Sequence, residues 1–481
     1  MKKTPELVSP DDGQALSSEL KRGFTLRSAI TVGFAFISPI VALYGVFSIV
    51  VSAAGAPGWW AFVIVLAGQL LVALSFGELA SKWPLAGGVY QWAKGLVGPK
   101  FGWFCGWVYA WTLLIATGSA MFIAAGFLPV VFGWAEFSPT SHVAVAVAMI
   151  IVVTALNCLG QSPLKIMTSA ASLIAVVGCI GIGGVLLGLF RVEPIDVVLG
   201  PFVHGEGSSA MGIAGMTAAI AYVGWAFVGF ESAGTIAEEV QDPQRAVPKA
   251  MFISLISVGG VVLFAGLAII LAAPDLSVFN DPDIPDPLVY ILTFHLGEAV
   301  VRPLFAMVTI AFLATAMAAQ ATGARVLWSF ARDDTLPGSA WMRTLTTKSR
   351  VPVRALLVTA FIPTVIVLLS LQGAVYTTMI LFAIVGFYIA FAFPLLGLLY
   401  RKIQGSWEPA SFSLGRLSTT ITAIAALWVL FELVNIAWPR DDTAPWYIQW
   451  AVPILVAVVG GTGALVAFFK RREITEATLS D

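Results

Sequence analysis

Apolar residues fall along this chain in long runs, separated by short stretches rich in Gly, Pro and charge. The runs lie near 26–53, 58–80, 102–128, 142–159, 166–190, 212–236, 250–273, 303–328, 353–371, 376–400, 418–438 and 447–469. A bilayer's hydrocarbon core takes about 20 helical residues to cross. Each run therefore predicts a membrane-spanning helix, twelve in all.

Two runs are interrupted. In the sixth, Tyr222 to Pro248 reads YVGWAFVGFESAGTIAEEVQDPQRAVP. Gly224 and Gly229 weaken the helix, Glu231 follows within two residues, and the segment ends in an acidic loop. In the first, Gly33 to Gly45 reads GFAFISPIVALYG. Pro39 donates no backbone bond and clashes with the preceding turn. A simple kink between packed helices is one reading, and a site where freed backbone meets a polar ligand is the other. Irregular backbone beside a charge is tolerated in hydrocarbon only where it faces protein or a cavity. Paired breaks in corresponding spans favour the binding site.

The correspondence follows from laying 26–190 over 212–400, five spans each. An odd number of spans per half turns the second half upside-down. Ser38-Pro39 and Gly224 then fall about twelve residues into their spans. The predicted fold is an all-α membrane protein of about 12 helices. It is a 5+5 inverted repeat with helices 1 and 6 broken, plus two peripheral C-terminal helices over 418–469. Polar tails cover 1–25 and 470–481.

Composition agrees: 59% of the 481 residues are hydrophobic and 11% charged, against about 25% charged in soluble domains. The net charge of −1 gives no bulk attraction to nucleic acid. Lys and Arg set the orientation. With the N-terminus inside, 22 of the 26 fall in cytoplasmic segments, and only Arg191, Arg302 and Arg440 fall outside. Arg325 lies near the inner end of a span, where it can snorkel. Both termini are thus expected in the cytoplasm. The first twenty residues hold no apolar core of a cleavable signal peptide. Cys105, Cys158 and Cys179 sit in apolar runs as small packing residues. His142, His204 and His295 are far apart, and no phosphate-binding loop, zinc motif or nucleophile elbow occurs. Nothing supports an enzyme, a metal or a cofactor.

The candidate chemistry lies at the breaks. Glu231 reads either as a proton-coupling carboxylate or as a structural one satisfied by backbone amides of the broken helix. Trp225 reads as an aromatic lid or as a packing residue. After span two, Phe76 to Trp92 reads FGELASKWPLAGGVYQW. Glu78 and Lys82 are spaced to pair on one helix face, and Gly87-Gly88 allow a tight turn into Tyr90 and Trp92. Span three offers Tyr109, Thr112 and Thr117, and span eight offers Thr315, Gln320 and Thr322, hydroxyls and amides that often only bond the preceding turn. Gln69, Asn157, Glu432 and Asn435 are lone polar groups whose partners the sequence does not name. Asp281 to Pro287 reads as an extended, proline-held loop.

Three stretches resemble the amino acid–polyamine–organocation superfamily of secondary transporters. PLAGGVYQW after span two is similar to its P-x-(S/A)-G-G-x-Y signature. WAFVGFESA from Trp225 and AEEVQDPQRAVP from Ala237 resemble its sixth-helix motif and following loop, and ARDDTLP from Ala331 resembles the close of its eighth helix. The resemblance covers about 26–400 and implies alternating access around a midplane site between helices one, three, six, eight and ten.

The freed backbone at the breaks gives the expected substrate contacts, at Ser38, Pro39, Ile40, Val41 and Ala42 and at Tyr222, Trp225 and Val228, with Thr112 beside them; the resemblance implies Thr117 and Gln320 as polar lining. It implies Trp225 as a gate and Glu231 as the coupling carboxylate, and Tyr109 of span three is expected as a second gate. Thr315 becomes a ligand only if sodium drives the cycle. The chain departs from the family in lacking the first-helix G-S/T-G and in having no lysine deep in helix five. The first-helix pattern is closer to the amino acid/choline branch. The expected partners are a small amino acid, protons or a counter-substrate, and the lipid of the cell membrane. An amine (gamma-aminobutyrate, choline, ethanolamine or polyamine) is the alternative substrate, and a channel or non-transporting sensor the alternative class.

Overall fold

The computed structural model describes residues 22–135, 137–199, 209–281, 283–284, 286–347, 349–372, 375–440 and 446–477. The tails through Lys21 and beyond Ala477, His204, Lys348, and Pro282 and Pro285 of the acidic loop lie outside them. The described residues are almost wholly helical, with one isolated bridge between Phe24 and Val240.

The first span is two helices, α1 (Leu26–Ile37) and α2 (Pro39–Ala54). Then come α3 (Trp59–Lys82), the short α4 (Val89–Val97), α5 (Pro99–Gly126), α6 (Pro139–Cys158) and α7 (Gln161–Leu189). The sixth span is α8 (Ser209–Val223), an irregular segment, and the single turn α9 (Ser232–Thr235). It is followed by α10 (Pro243–Leu271), α11 (Glu298–Arg332), α12 (Val353–Leu369) and α13 (Val375–Ile403). The last two spans are α14 (Ser418–Ala437) and α15 (Ala451–Phe469).

Among the described residues, eleven spans are long and apolar enough to cross a membrane. The twelfth, α12, has 17 residues, about 25 Å at 1.5 Å per residue, the short end of what crosses. Hydropathy under-reads both α10 and α11, because their polar turns extend the apolar run. The first starts at Pro243, before Arg245 and Lys249, and the second runs on to Arg332. The acidic loop is extended only in part: Asp286 accepts from the amides of Leu288 and Val289 and caps a helix over Pro287–Leu296.

Burial separates core spans from peripheral ones. The apolar window of the first span is 78% buried, that of α15 only 17%. The lipid-facing side chains of α7 and α15, such as Leu173, Val177 and Phe468, are correspondingly exposed.

The face where the chain enters is closed by ion pairs. After the sixth span, Glu239 pairs with Arg325 (Nη2 to Oε2 3.0 Å) and accepts from Gln161. Its backbone brackets Phe24, whose amide donates to the Glu239 carbonyl at 2.9 Å. Glu238 accepts from the Ala86 amide (2.8 Å) and Arg332 (3.2 Å). Asp333 accepts from Lys94 and Tyr90, each at 2.6 Å. Burial holds the Lys94 ammonium below the ordinary lysine range, and the Asp333 carboxylate opposes that. Arg325 therefore does not snorkel. It is 7% exposed and ion-paired, since a partner within reach removes the need to find water. The tight turn at Gly87-Gly88 forms as read. Gly88 has φ 40°, and a Cβ there would stand 3.1 Å from the Thr235 amide nitrogen.

Glu78 does not pair with Lys82. It is fully buried against Lys402, Ser418 and the Leu414 amide, whereas Lys82 donates to the Glu408 carbonyl over the Trp407 ring. The two positions share a helix face, but Glu78 lies toward the bundle and Lys82 ends the helix. Removing one partner of a buried pair strands the other charge. Lys402→Met is therefore expected to lower stability by about 3–5 kcal/mol, read as a fall in melting temperature in detergent. Glu78→Gln combined with Lys402→Met should recover most of that loss.

Candidate functional site

Ser38 links α1 to α2 with φ 49°, a conformation that costs a non-glycine residue about 1–3 kcal/mol. The link persists because its polar groups are met. Ser38 Oγ accepts weakly from the Val41 amide at 3.4 Å. Pro39 has no N–H to give the carbonyl of Ala35, four residues before it. That carbonyl accepts instead from the Thr315 hydroxyl of α11, at 2.6 Å. The Ser38 amide donates to the Phe34 carbonyl and the Ala42 amide to the Ser38 carbonyl, so helix geometry leaves the Phe36 and Ile37 carbonyls and the Ile40 amide without intrahelical partners at the break.

The second break is built differently. Val228 is extended (φ −95°, ψ 161°) and Gly229 has φ 103°. A Cβ on Gly229 would also stand 2.9 Å from the Phe36 ring. Only glycine satisfies both constraints. Glu231 folds back on this segment. Its Oε2 accepts from the Gly229 amide at 3.0 Å and its Oε1 from the Tyr109 hydroxyl of α5 at 2.9 Å.

The breaks face each other across one narrow cavity. Phe36, Ile37 and Val41 line it from the first span, and Trp225 and Val228 from the sixth. Ala116 of α5, Thr315 and Ala319 of α11, and Phe387 of α13 complete it. The lining is apolar and aromatic apart from backbone and the Thr315 hydroxyl. The Trp225 indole Nε1 lies 3.7 Å from where a Gly45 Cβ would stand, so the ring crosses from the sixth span to the first. Tyr109 sits behind Phe387, edge to face at 6.0 Å.

Of the residues singled out from sequence, Val41, Trp225, Val228 and Thr315 meet at this cavity. Glu231 and Tyr109 stand one layer behind it. Ser38, Pro39 and Ala42 are buried in the break without lining the cavity, and Ile40 turns to a separate apolar cavity beside α7. Tyr222 is half-buried, within electrostatic reach of Arg440. The polar lining differs from expectation. Thr112 and Thr117 donate to the carbonyls of Val108 and Leu113 in their own helix. Gln320 turns to α6, donating to Thr154 (2.7 Å) and accepting from Asn157 (2.8 Å). The residues just before, Ala116 and Ala319, take the cavity-facing places. Phe36, Ile37 and Phe387 were not singled out from sequence. The first two lie within two residues of Ser38, and the break was their only signal.

Comparison with known proteins is consistent across the chain. A family model described as amino acid permease matches residues 27–461. The low-affinity putrescine importer PlaP of Escherichia coli is 28% identical over 67% of this chain and 69% of its own length. The amino-acid permease BAT1 of Arabidopsis thaliana is 24% identical over 92% and 90%. The choline transporter of Saccharomyces cerevisiae is 25% identical over 94% and 81%.

The Thr315 hydroxyl is the sole described donor to the Ala35 carbonyl outside the helix. Thr315→Val should cost about 1–3 kcal/mol by leaving that carbonyl unmet, while Thr315→Ser stays near wild type. Melting curves of the two variants in one detergent check this.

Proposed function

Because the chain belongs to the amino acid permease family, and is therefore a multi-pass membrane transporter rather than an enzyme, we propose that it carries a small amino acid across the cell membrane by alternating access. The observation that carries this reading is the pair of helix breaks opposed on one cavity. The amide end of α2 suits a carboxylate, and the carbonyl end of α1 suits an ammonium. The apolar walls at Ala116, Ala319 and Val41 favour a compact side chain. Trp225 closes over the substrate. Residues 26–190 and 212–400 act as inverted five-helix units, and the basic segments put both termini in the cytoplasm.

A compact organic cation is the second reading. Trp225, Phe36 and Phe387 place three aromatic rings around a cavity with no acidic side chain in its lining, and ring faces attract ammonium groups. The names of the putrescine and choline relatives agree with it.

Glu231 couples substrate movement to protons in this scheme. Its two oxygens hold Tyr109 and the Gly229 amide. A protonated carboxyl gives up part of its accepting capacity, so taking up a proton loosens the sixth-span break. Exchange of internal for external substrate needs no such step.

Reconstituted protein should show saturable counterflow with a small amino acid, or with choline on the second reading. A simple channel would not. Glu231→Gln should abolish proton-driven accumulation and spare exchange. Full accumulation by that variant would remove the coupling role, and accumulation driven by sodium alone would move attention to Thr315.

A further inference from the structure

Glu432 stands apart from the other buried carboxylates. It is fully buried on α14, five residues inside that helix's far end. Its Oε2 has no hydrogen-bond partner among the described residues. Its Oε1 meets only the Asn435 amide nitrogen at 3.5 Å, the outer limit of a hydrogen bond. By contrast Glu78, Glu238, Glu239 and Asp333 each hold a Lys or Arg. Glu231 holds two donors at 3.0 Å or less. An ionised carboxylate with so little support is costly in a membrane interior, and the neutral acid avoids that cost.

The surroundings match a neutral acid. From α13, Tyr388 lies within electrostatic reach of Glu432, and its hydroxyl accepts from Gln69 of α3 at 2.7 Å. The other Gln69 amide atom, Oε1, is buried and unpartnered. From α8, Tyr222 faces the same region through Arg440. Arg440, beyond the end of α14, is within electrostatic reach, but its guanidinium donates to Asn435 (Oδ1 at 2.7 Å) instead. Among the described residues, Glu78 and Lys402 also lie beside α14 and pair with each other near its opposite end.

We propose that Glu432 is a proton-binding site separate from the central cavity, taking its proton on Oε2 and coupled through Tyr388 to the broken sixth span. The coupling is geometric. The Tyr388 hydroxyl would lie 3.4 Å from a Cβ on Gly224, the first residue of the irregular segment and the neighbour of Trp225. Moving that segment would displace the Tyr388 hydroxyl, which is within electrostatic reach of Glu432. When the proton leaves, the bare carboxylate attracts the Tyr388 hydroxyl away from Gln69.

Infrared difference spectra of the lipid-reconstituted protein, titrated with pH, test this without any transport assay. The expected result is one carboxylic-acid carbonyl band lost in Glu432→Gln and kept in Glu231→Gln. Tyr388→Phe, which retains the carboxyl, should shift that band and its titration midpoint. In vesicles, Glu432→Gln should change the pH profile of uptake and leave the substrate KM within about twofold, whereas a purely structural role would move melting temperature alone. Spectra of Glu432→Gln that superimpose on wild type overturn the site. If that variant does not fold, a band unmoved by Tyr388→Phe overturns the coupling.

Discussion

A backbone carbonyl that loses its N–H partner inside a bilayer must find another donor, and the centre of this protein is organised by that requirement. Pro39 takes the partner away from Ala35, and Thr315 supplies the replacement from another span. The bond ties the first span to α11 at the depth where both breaks lie. Beside it, the Phe36 and Ile37 carbonyls and the Ile40 amide are left without intrahelical partners. The sixth span meets the converse need, an amide without an acceptor, with a side chain of its own, since the Gly229 amide donates to Glu231. One break is held from outside its span and the other mainly from within, so the two need not respond alike to the same ligand.

Charges at the entry face follow a second rule. Among the described residues, the ionisable groups buried there are paired, and two of the pairs converge on the loop after the sixth span. The motif residues Glu238 and Glu239 are fasteners between the sixth span, α11 and the turn before α4. On the cavity itself, Trp225 crosses from the sixth span to Gly45 of the first.

Much of the architecture is written in single-residue patterns. Spans follow from unbroken hydropathy, and the breaks from Pro39 and from Gly224 and Gly229. The glycine turn before Tyr90 follows from Gly87-Gly88. The candidate site was less legible because hydropathy gives a helix's depth but not its rotation. The resemblance points to Thr117 and Gln320, yet one residue is about 100° of helix, and Ala116 and Ala319 line the cavity. Pairings across the chain were out of reach for the same reason. Local spacing offered Lys82 to Glu78, while the residue that meets it is Lys402, 324 positions away. Gln320 found its partners on α6, which no local pattern announces.

The adjacent glutamates have one further consequence. Glu238 reaches Arg332 and Glu239 reaches Arg325, two positions on one side of a single helix, two turns apart. Between Glu231 and Glu238 the chain makes only a one-turn helix and a short tight segment, with nothing to absorb slack. The stretch behaves as a rod of set length, pinned at one end to the cavity and clamped at the other to a ruler of arginines. Adding or deleting one residue would leave every contact chemically possible and mechanically out of step.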